Sequence, residues 1–480
     1  MNYFNHSFLN LYCHKKRLKK RLWLCKKISI MKKTYQSISF LPFAAFYLLL
    51  SLSLWWFRAP NIDEPWMGGI AVSLERYGAF FDLGWLRSGQ WKLFFFGESY
   101  YSCLFVWMKV FGDNLLAARL MSVLMGLSSL FFIHKILNRK INHRLLYTIL
   151  LILGGNYYFL LANTQVRSES WCLLATLLSL HQMHLWSKNG QSQKLFFSHL
   201  FLILATLGHF QAAFVGLAAW VFTFFIFQKE KKYSWVPFLS PYALTAIFYF
   251  RYLYINKESF LKWYAFYFGK DNDMVGHAGG MIGSTFERFS NGDWQESIVI
   301  LVLIIAFGLG NLTALFYNRK NTLLILIGLY GLGGYSSWLL TTTHLNDYHA
   351  IWLIFPFLSI LTLNGTTYYS RLVQYGNLSL FIALLIWGMQ WTYTIINNNP
   401  RSDFEEDIKY IKSALNNEIK TIHCPRDIMW SFDFNETIFN PKYYTENTAD
   451  IIVKRKFRNP TDIPSYQRYE GNRFIIFVKK

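Results

Sequence analysis

Long apolar runs separated by short polar loops dominate this chain of 480 residues. A run of about 18 or more apolar residues is long enough to cross a bilayer as a helix, and pairing such runs in order gives about eleven spans. The composition agrees, because 53% of the residues are hydrophobic, 19% are aromatic and only 16% are charged. This balance is unusual for a soluble protein, so the sequence predicts an all-α polytopic membrane protein.

The distribution of charge indicates how the chain crosses the membrane. The formal net charge is +21, but the basic residues lie mainly in residues 1–36 and in short loops, which indicates topology rather than nucleic-acid binding. We therefore predict that residues 1–36 form a cytoplasmic tail at the inner (plasma) membrane, followed by an uncleaved first span. Met31-Lys-Lys resembles an ordinary start site, so residues 1–30 are expected to be an upstream extension.

The chain changes character after its last apolar run. Residues 37–396 are expected to form the membrane domain, which includes a long outer loop at 58–114 and carries the candidate site. Residues 397–480 are polar and contain several prolines, so they are predicted to form a small extracytoplasmic α/β domain. Its predicted elements are an amphipathic helix at 404–415 and short strands at 421–424, 450–454 and 474–478.

Two adjacent carboxylates stand out in the outer loop, because Asp63 and Glu64 are the first acidic residues of the chain. Pro65 suits the first turn of a helix, and the apolar spacing over residues 66–77 predicts an amphipathic helix on the membrane surface. Both carboxylates would then lie at the mouth of the membrane domain. We hypothesise that Asp63 and Glu64 carry catalysis; the alternative is that Asp63 only caps the helix.

Further polar residues fall on the same outer side of the predicted topology. The candidates are Arg119, Arg167, Lys257 and Lys262 as phosphate-binding cations, and Glu169, His344, Asp347 and His349 as another edge of the site. Transfer from a lipid-phosphate donor needs a carboxylate near the acceptor hydroxyl and cations for the leaving phosphate, so these residue types suit it. The alternatives are arginines that reach the interface as anchors, solvated lysines and interfacial polar side chains.

No metal centre is predicted, although a divalent metal is left open as a cofactor. The five cysteines show no CxxC or histidine-linked spacing. Asp271 and Asp273 resemble a metal-binding DxD, with a solvated loop as the alternative, and the group at residues 344–349 could ligate a divalent cation. The lack of a DxD at the first span favours a metal-independent reaction.

Several motifs together resemble a known family. They are Asn61-Ile-Asp-Glu-Pro after the first span, Gly97-Glu-Ser-Tyr-Tyr and Trp107-Met-Lys-Val-Phe-Gly-Asp-Asn around a second predicted amphipathic helix at 99–111, Ala118-Arg-Leu, and Ala162-Asn-Thr-Gln-Val-Arg-Ser-Glu. Over roughly residues 37–230 the chain resembles the polytopic GT-C glycosyltransferases. The similarity is greatest to bacterial relatives of protein O-mannosyltransferases and lipid A aminoarabinose transferases.

The resemblance implies a reaction and a division of roles. Members of the family take a sugar, here a hexosyl or pentosyl group, from a polyprenyl-phosphate carrier, invert its anomeric centre and work on the extracytoplasmic side. Asp63 would be the catalytic base or its equivalent, Glu64 the supporting carboxylate, and the segment 167–169 a second edge of the active site. The acceptor, whether lipid, glycan or protein, is not specified. Many relatives carry His-x-Pro-Pro where this chain has Glu98-Ser-Tyr-Tyr, which leaves open a difference in acceptor handling.

Three other functions are compatible with a polytopic membrane protein of this kind. A transporter or flippase of lipid-linked sugars would place its ionisable groups near the midplane of the membrane, whereas the charges here gather at one rim. An O-antigen ligase or polymerase shares the membrane setting but handles longer lipid-linked glycans. A non-catalytic assembly protein would tolerate the loss of both Asp63 and Glu64.

Overall fold

Helices make up most of the chain, as the apolar runs predict. The computed structural model describes residues 39–61, 63–78, 80, 97–138, 140–229, 234–258, 260–261, 285, 294–317, 321–341, 348–363, 371–415, 421–424, 426–432, 449–456, 463 and 465–479. In chain order the α-helices are α1 (Leu41–Phe57), α2 (Asp63–Tyr77), α3 (Glu98–Phe111), α4 (Leu115–Leu137), α5 (His143–Gly155), α6 (Tyr157–Asn163), α7 (Ser168–Asn189), α8 (Ser192–Gly208), α9 (Ala212–Lys229), α10 (Val236–Ile255), α11 (Trp294–Tyr317), α12 (Thr322–Thr341), α13 (Ile354–Leu363), α14 (Arg371–Asn398) and α15 (Pro400–Ala414). Short 3-10 helices lie at Tyr348–Leu353 and Arg426–Phe432.

Length and apolarity allow few of these helices to cross a membrane alone. Within the described residues, α4 and the Thr322–Leu340 part of α12 are long and apolar enough to span, and the bent pair α5 and α6 would make a third span. Shorter apolar helices include α1, α8 and the Ala212–Gln228 part of α9. The expectation of about eleven spans therefore stays a prediction.

Helices α5 and α6 follow each other closely in the chain and are bent by 54° relative to each other. Asn156 restarts the chain as a helix, because its side-chain oxygen accepts hydrogen bonds from the backbone N–H of Tyr158 at 2.9 Å and of Phe159 at 3.3 Å. A β-carbon built at Gly388 of α14 would lie 2.0 Å from the carbonyl oxygen of Gly155. The break therefore sits where two backbones come close together.

The two helices that were predicted to be amphipathic, over residues 66–77 and 99–111, both form, with one difference at the start of α2. That helix begins at Asp63 rather than at Trp66, so both carboxylates lie in its first turn, where the helix dipole favours negative charge. Together with α3 and α4, α2 encloses an apolar cluster that also receives Trp430 from the C-terminal domain. The cluster fixes α2 against the membrane domain on one side and the C-terminal domain on the other.

Within its described residues, the C-terminal domain contains one sheet and one packed α-helix. The strands β1 (Ile422–His423), β2 (Ile451–Arg455), β3 (Tyr466–Glu470) and β4 (Phe474–Lys479) pair in the order β1-β2-β4-β3, parallel between β1 and β2 and otherwise antiparallel. Helix α15 buries an apolar face against this sheet. Its Asp407 carboxylate accepts hydrogen bonds from three consecutive backbone N–H groups, of residues 472 to 474, at 2.8 to 3.0 Å.

A turn of the chain and two packing contacts connect the described part of this domain to the membrane domain. Asn399, with φ of +37°, turns the chain between α14 and α15 in the left-handed region that asparagine tolerates better than most residues. The guanidinium of Arg401 lies 4.6 Å from the ring centroid of Trp56. The indole of Trp430 packs directly on Gly68 of α2, where an added β-carbon would lie 2.3 Å from the ring.

Candidate active site

The candidate site lies where four helix ends meet. These are the C-terminal end of α1 and the N-terminal ends of α2, α4 and α7. Asn114 starts α4 by accepting a hydrogen bond from the backbone N–H of Ala117 at 2.9 Å, which places Arg119 in the next turn. Because helix N-termini carry partial positive charge and unpaired N–H groups, the arrangement favours anionic groups among these ends.

Glu64 and Arg119 form a buried ion pair at the centre of this junction. Arg119 donates from Nε to Glu64 Oε1 at 2.7 Å and from Nη2 to Oε2 at 2.6 Å. The same carboxylate accepts from the backbone N–H of Asn61 at 2.7 Å and of Val166 at 3.1 Å. Both side chains are buried, so four hydrogen bonds satisfy a carboxylate that has no access to solvent.

The expectation that Arg119 binds the donor phosphate stays a prediction, and the hydrogen bonds of Arg119 do not favour it. Besides its two bonds to Glu64, its guanidinium donates to the backbone carbonyls of Trp55 at 3.3 Å, Arg58 at 2.7 Å and Ala59 at 2.9 Å. A guanidinium has five N–H donors, and all five are used. The structure therefore gives Arg119 a positioning role: it ties the end of α1 to the start of α2.

The charges of this junction affect one another's ionisation. Burial by itself raises the pKa of Glu64, but the charge and hydrogen bonds of Arg119, together with the charge of Arg58 and the N–H of Asn61, lower it, so the pKa lies below its ordinary value. Burial lowers the pKa of Arg58 to about 10, with Glu64 opposing that decrease and Arg119 adding to it. At neutral pH Glu64 is therefore ionised and Arg58 is still protonated.

A second set of charges joins Asp63 to the start of α7. Arg167 donates from Nη1 to Asp63 Oδ2 at 2.5 Å, and from Nε and Nη2 to the two oxygens of Glu169 at 3.2 and 2.9 Å. The side chains of Arg167 and Glu169 are 2% and 0% exposed, whereas that of Asp63 is 28% exposed. The chain Glu169–Arg167–Asp63 thus runs from the interior to a carboxylate that solvent and ligands can reach.

The structure gives the two adjacent carboxylates different environments. Glu64 is enclosed and fully hydrogen-bonded, whereas Oδ1 of Asp63 has no hydrogen-bond partner within the described part of the chain. Asp63 lies inside α2, and its hydrogen bond goes to Arg167 rather than to a backbone N–H of the helix. This geometry favours Asp63 as the reactive carboxylate and leaves little support for the helix-cap alternative.

The remaining predicted residues lie apart from this junction or outside the described residues. Lys257 is exposed just beyond α10, and the structure shows no contact between it and Asp63 or Arg167. Lys262, His344 and Asp347 lie outside the described residues. His349 falls in the 3-10 helix Tyr348–Leu353, and its side chain is outside the description as well. Among the residues that the structure does describe, no group of three His, Cys, Asp or Glu could hold a metal.

Sequence reasoning missed two residues that line the junction. Arg58 lies 5.4 Å from the ring centroid of Trp391 and contacts the side-chain amide of Gln165, whose oxygen faces the guanidinium. Arg58 lies shortly before the stretch 61–65, and Gln165 lies within the segment 162–169, both of which the sequence did single out. These positions were the available signal; the contact between the two residues depends on tertiary packing.

Comparison with known proteins identifies a fold and a family profile. Residues 103–255 match the profile of the family described as dolichyl-phosphate-mannose-protein mannosyltransferase. The crystal structure of ArnT from Cupriavidus metallidurans bound to undecaprenyl phosphate superposes with a TM-score of 0.61 at 13% identity, covering 91% of this chain and 97% of ArnT. The apo structure of the same ArnT gives a TM-score of 0.59 at the same identity and coverage. Comparison with curated protein sequences gave no match.

The fold of this chain is therefore that of ArnT, over nearly the whole length of both proteins. Profile and structure, two independent comparisons, confirm the resemblance to GT-C membrane glycosyltransferases that the motifs suggested. The matched segment 103–255 contains Arg119, Arg167 and Glu169 but begins after Asp63 and Glu64. Geometry alone connects the paired carboxylates to the residues within the profile.

Proposed function

We propose that this protein is a membrane glycosyltransferase that moves a sugar from a polyprenyl-phosphate carrier to an extracytoplasmic lipid, glycan or protein. The ArnT fold supports the enzyme class, and the matched family is described as using dolichyl-phosphate mannose. A further ground for an isoprenoid phosphate is that ArnT was crystallised with undecaprenyl phosphate. The donor sugar and the acceptor are left open.

The observation that carries the proposal is the partly exposed carboxylate of Asp63, held by Arg167 at 2.5 Å. A catalytic carboxylate must reach the acceptor and keep a fixed orientation, and this one does both because one oxygen is anchored and the side chain is accessible. General base catalysis from a positioned side chain contributes a rate factor of about 10²–10⁴. Asp63 is therefore assigned as the base.

The reaction that this arrangement supports is a displacement at the anomeric carbon. An acceptor hydroxyl attacks that carbon, its proton passes to Asp63, and the bond from carbon to phosphate oxygen breaks with its electron pair leaving on the polyprenyl phosphate. Inversion follows from attack opposite the leaving group, as the family resemblance implies. Arg167 contributes positive charge beside the reacting centre, and Glu169 holds its guanidinium in place.

Glu64 and Arg119 have a supporting role in this proposal. Their pair fixes the backbone at residues 58–61 and the first turn of α2, and so fixes where Asp63 points. Catalytic groups need to be held within a fraction of an ångström, and a buried, fully bonded pair supplies such rigidity.

The test is sugar transfer in membranes from a panel of radiolabelled polyprenyl-phosphate sugars, comparing wild type with Asp63→Asn. The matched control is Glu75→Gln, an acid-to-amide change on the same helix at an exposed ion pair with Lys109. We expect Asp63→Asn to lose about 10²-fold or more of the activity, while Glu75→Gln retains it and both insert normally.

Normal transfer by the Asp63→Asn variant would refute the assignment of the base. If no sugar of the panel is transferred but lipid-linked sugars cross the bilayer, a flippase replaces the enzyme. Use of diphosphate-linked glycans in place of monophosphate-linked sugars would indicate an O-antigen ligase or polymerase.

A further inference from the structure

Two buried hydroxyl groups lie next to the candidate site and take no part in its ion pairs. Tyr100 belongs to the outer helix α3 and Ser122 to α4, and both side chains are 0% exposed. Within the described part of the chain, neither hydroxyl oxygen makes a hydrogen bond of ordinary geometry. Buried polar groups in native proteins are nearly always hydrogen-bonded, so the two hydroxyls require an explanation.

The hydroxyl of Tyr100 lies close to the charges of the site. Burial raises the pKa of its phenol well above the ordinary value, and the carboxylates of Glu169 and Glu64 add to this increase. The guanidinium of Arg167 acts in the opposite direction. The phenol is therefore protonated at neutral pH, and its oxygen can both donate and accept a hydrogen bond.

The hydroxyl of Ser122 is near that of Tyr100 without being bonded to it. Its side chain lowers the pKa of Tyr100, which requires the two oxygens to be close, but no direct hydrogen bond of ordinary geometry joins them. Buried helix serines often bond to the carbonyl one turn back, as Ser51 does to Tyr47 at 2.8 Å. The hydroxyl of Ser122 does not make this bond, so it also keeps its capacity for a partner.

Two other tyrosines of the membrane domain show how a buried phenol is normally satisfied. Tyr47 donates to the carbonyl of Val123 at 3.1 Å, and Tyr330 bonds to the hydroxyl of Ser179 at 2.8 Å. Both side chains are as deeply buried as that of Tyr100. Burial alone therefore does not account for the open hydroxyl of Tyr100.

We propose that an ordered internal water molecule bridges the hydroxyl oxygens of Tyr100 and Ser122 between α3 and α4. A buried water is retained where it meets two to four polar partners, and these two hydroxyls supply two, each able to donate or accept. A bridging water is enthalpically close to a direct hydrogen bond. One molecule thus satisfies both groups.

The water gives Tyr100 a part in the arrangement of the site. Arg167 and Glu169 orient Asp63, and the hydroxyl of Tyr100 lies beside their charges. Held by the water against α4, Tyr100 is a positioning residue for Arg167 and Glu169. This role rests on the proposed function, whereas the binding of water does not.

X-ray radiolysis with mass spectrometry tests for the water in the full-length protein in phosphatidylcholine nanodiscs. Bound waters release hydroxyl radicals that label the adjacent side chain even where bulk solvent has no access. We expect labelling of Tyr100 and of the exposed reference Tyr254, but not of the equally buried Tyr47 and Tyr330. An unlabelled Tyr100, or equal labelling of all three buried tyrosines, overturns the proposal.

A double-variant cycle connects the water to both hydroxyls. Tyr100→Phe and Ser122→Ala should each lower Tm, and the double variant should lose little more than either one, because the first change already removes the water. A Tm that rises or stays unchanged in both single variants would show that the hydroxyls bind nothing, and would overturn the proposal. The control cycle pairs Tyr100→Phe with Ser129→Ala, a buried serine about 10 Å farther along α4. Its effects should be additive.

The transfer assay tests the positioning role separately. Tyr100→Phe and Ser122→Ala should each lower kcat several-fold and leave KM unchanged, a smaller loss than the roughly hundredfold effect of a 1 Å misplacement. Labelling of Tyr100 with an unchanged kcat in both variants rejects the positioning role. Labelling of Tyr100 in a protein that transfers no sugar rejects the proposed function and leaves the water site standing.

Discussion

Arg119 donates two hydrogen bonds to the carboxylate of Glu64, of 2.7 and 2.6 Å. Its three remaining N–H groups donate to backbone carbonyls at the end of α1. Neither partner is accessible to solvent. The pair therefore connects the end of α1 to the start of α2, and we expect its removal to lower the stability of the folded protein.

Glu64→Gln should destabilise the protein by about 3–5 kcal/mol, because it leaves the buried guanidinium of Arg119 without its counter-charge. Thermal unfolding in detergent measures the change. The control Glu75→Gln removes an exposed pair with Lys109 and should cost at most about 1 kcal/mol. Equal effects of the two variants would show that burial of the pair does not contribute to stability.

Acidification should reduce the stability that the ion pair of Glu64 and Arg119 contributes. The pKa of Glu64 is lower in the folded protein than in the unfolded chain, so its contribution is present above the unfolded value of about 4.3 and is lost as the pH falls through the folded value. Wild type should therefore lose melting temperature more steeply than Glu64→Gln below about pH 4. Parallel pH profiles of the two proteins would contradict the lowered pKa.

Arg167→Lys should separate catalysis from folding. An ammonium keeps the charge but cannot donate to Asp63 and to both oxygens of Glu169 in one plane. We expect kcat to fall about a hundredfold, as for a misplacement of about 1 Å, with KM little changed. Arg468→Lys at the exposed pair with Glu470 is the matched control. A rise in KM with an unchanged kcat would indicate that Arg167 only binds substrate.

Gly68→Ala should disturb the docking of the C-terminal domain on α2. The new methyl group would lie 2.3 Å from the indole of Trp430, and overpacking of this kind costs about 1–3 kcal/mol. Adding Trp430→Phe to Gly68→Ala should restore part of the stability, because the smaller ring leaves room. Additive effects in the double variant, measured by thermal unfolding, would show that the contact is not the cause.

Gly388→Ala and Gly216→Ala form a matched pair of helical substitutions. The first places a methyl group 2.0 Å from a backbone oxygen of Gly155, whereas the second meets nothing within 4 Å. Gly388→Ala should therefore destabilise by more than about 1 kcal/mol, and Gly216→Ala should stabilise by about 0.5–1 kcal/mol. Thermal unfolding of both, side by side, checks the sign of each effect.

Local sequence patterns predict most of the helices, but they do not predict the edge strand β3 or the bend between α5 and α6. Between α8 and α9, a glycine and polar residues at 208–211 interrupt an apolar run, which is a local signal for the helix break. The strand β3 was missed because Tyr466–Glu470 is polar and lies at the sheet edge, so it lacks the apolar alternation of a half-buried strand. The bend at Asn156 has no comparable signal in the sequence, because a single side-chain cap decides it.

In the candidate site, too, the sequence identifies residues but not the contacts between them. Asp63 and Glu64 could be selected from sequence because they stand together after a long acid-free stretch. Their different roles could not be predicted from the sequence, because these roles depend on which arginine each carboxylate contacts. Arg119 is 55 residues from Glu64, and Arg167 is 104 residues from Asp63. Neither distance leaves a trace in spacing or periodicity. Arg119 was accordingly expected to bind phosphate, although the structure shows its donors to be fully used.

The separation of Asp63 from Arg167 also sets an order of events during synthesis. At about 5–20 residues per second, a chain that has just exposed Asp63 must grow for roughly 5–20 seconds more before Arg167 leaves the ribosome. For that interval the Asp63 carboxylate has no Arg167 to pair with. The site therefore cannot assemble before α7 begins to emerge, and a nascent chain that stops before α7 has the candidate base without the arginine that orients it.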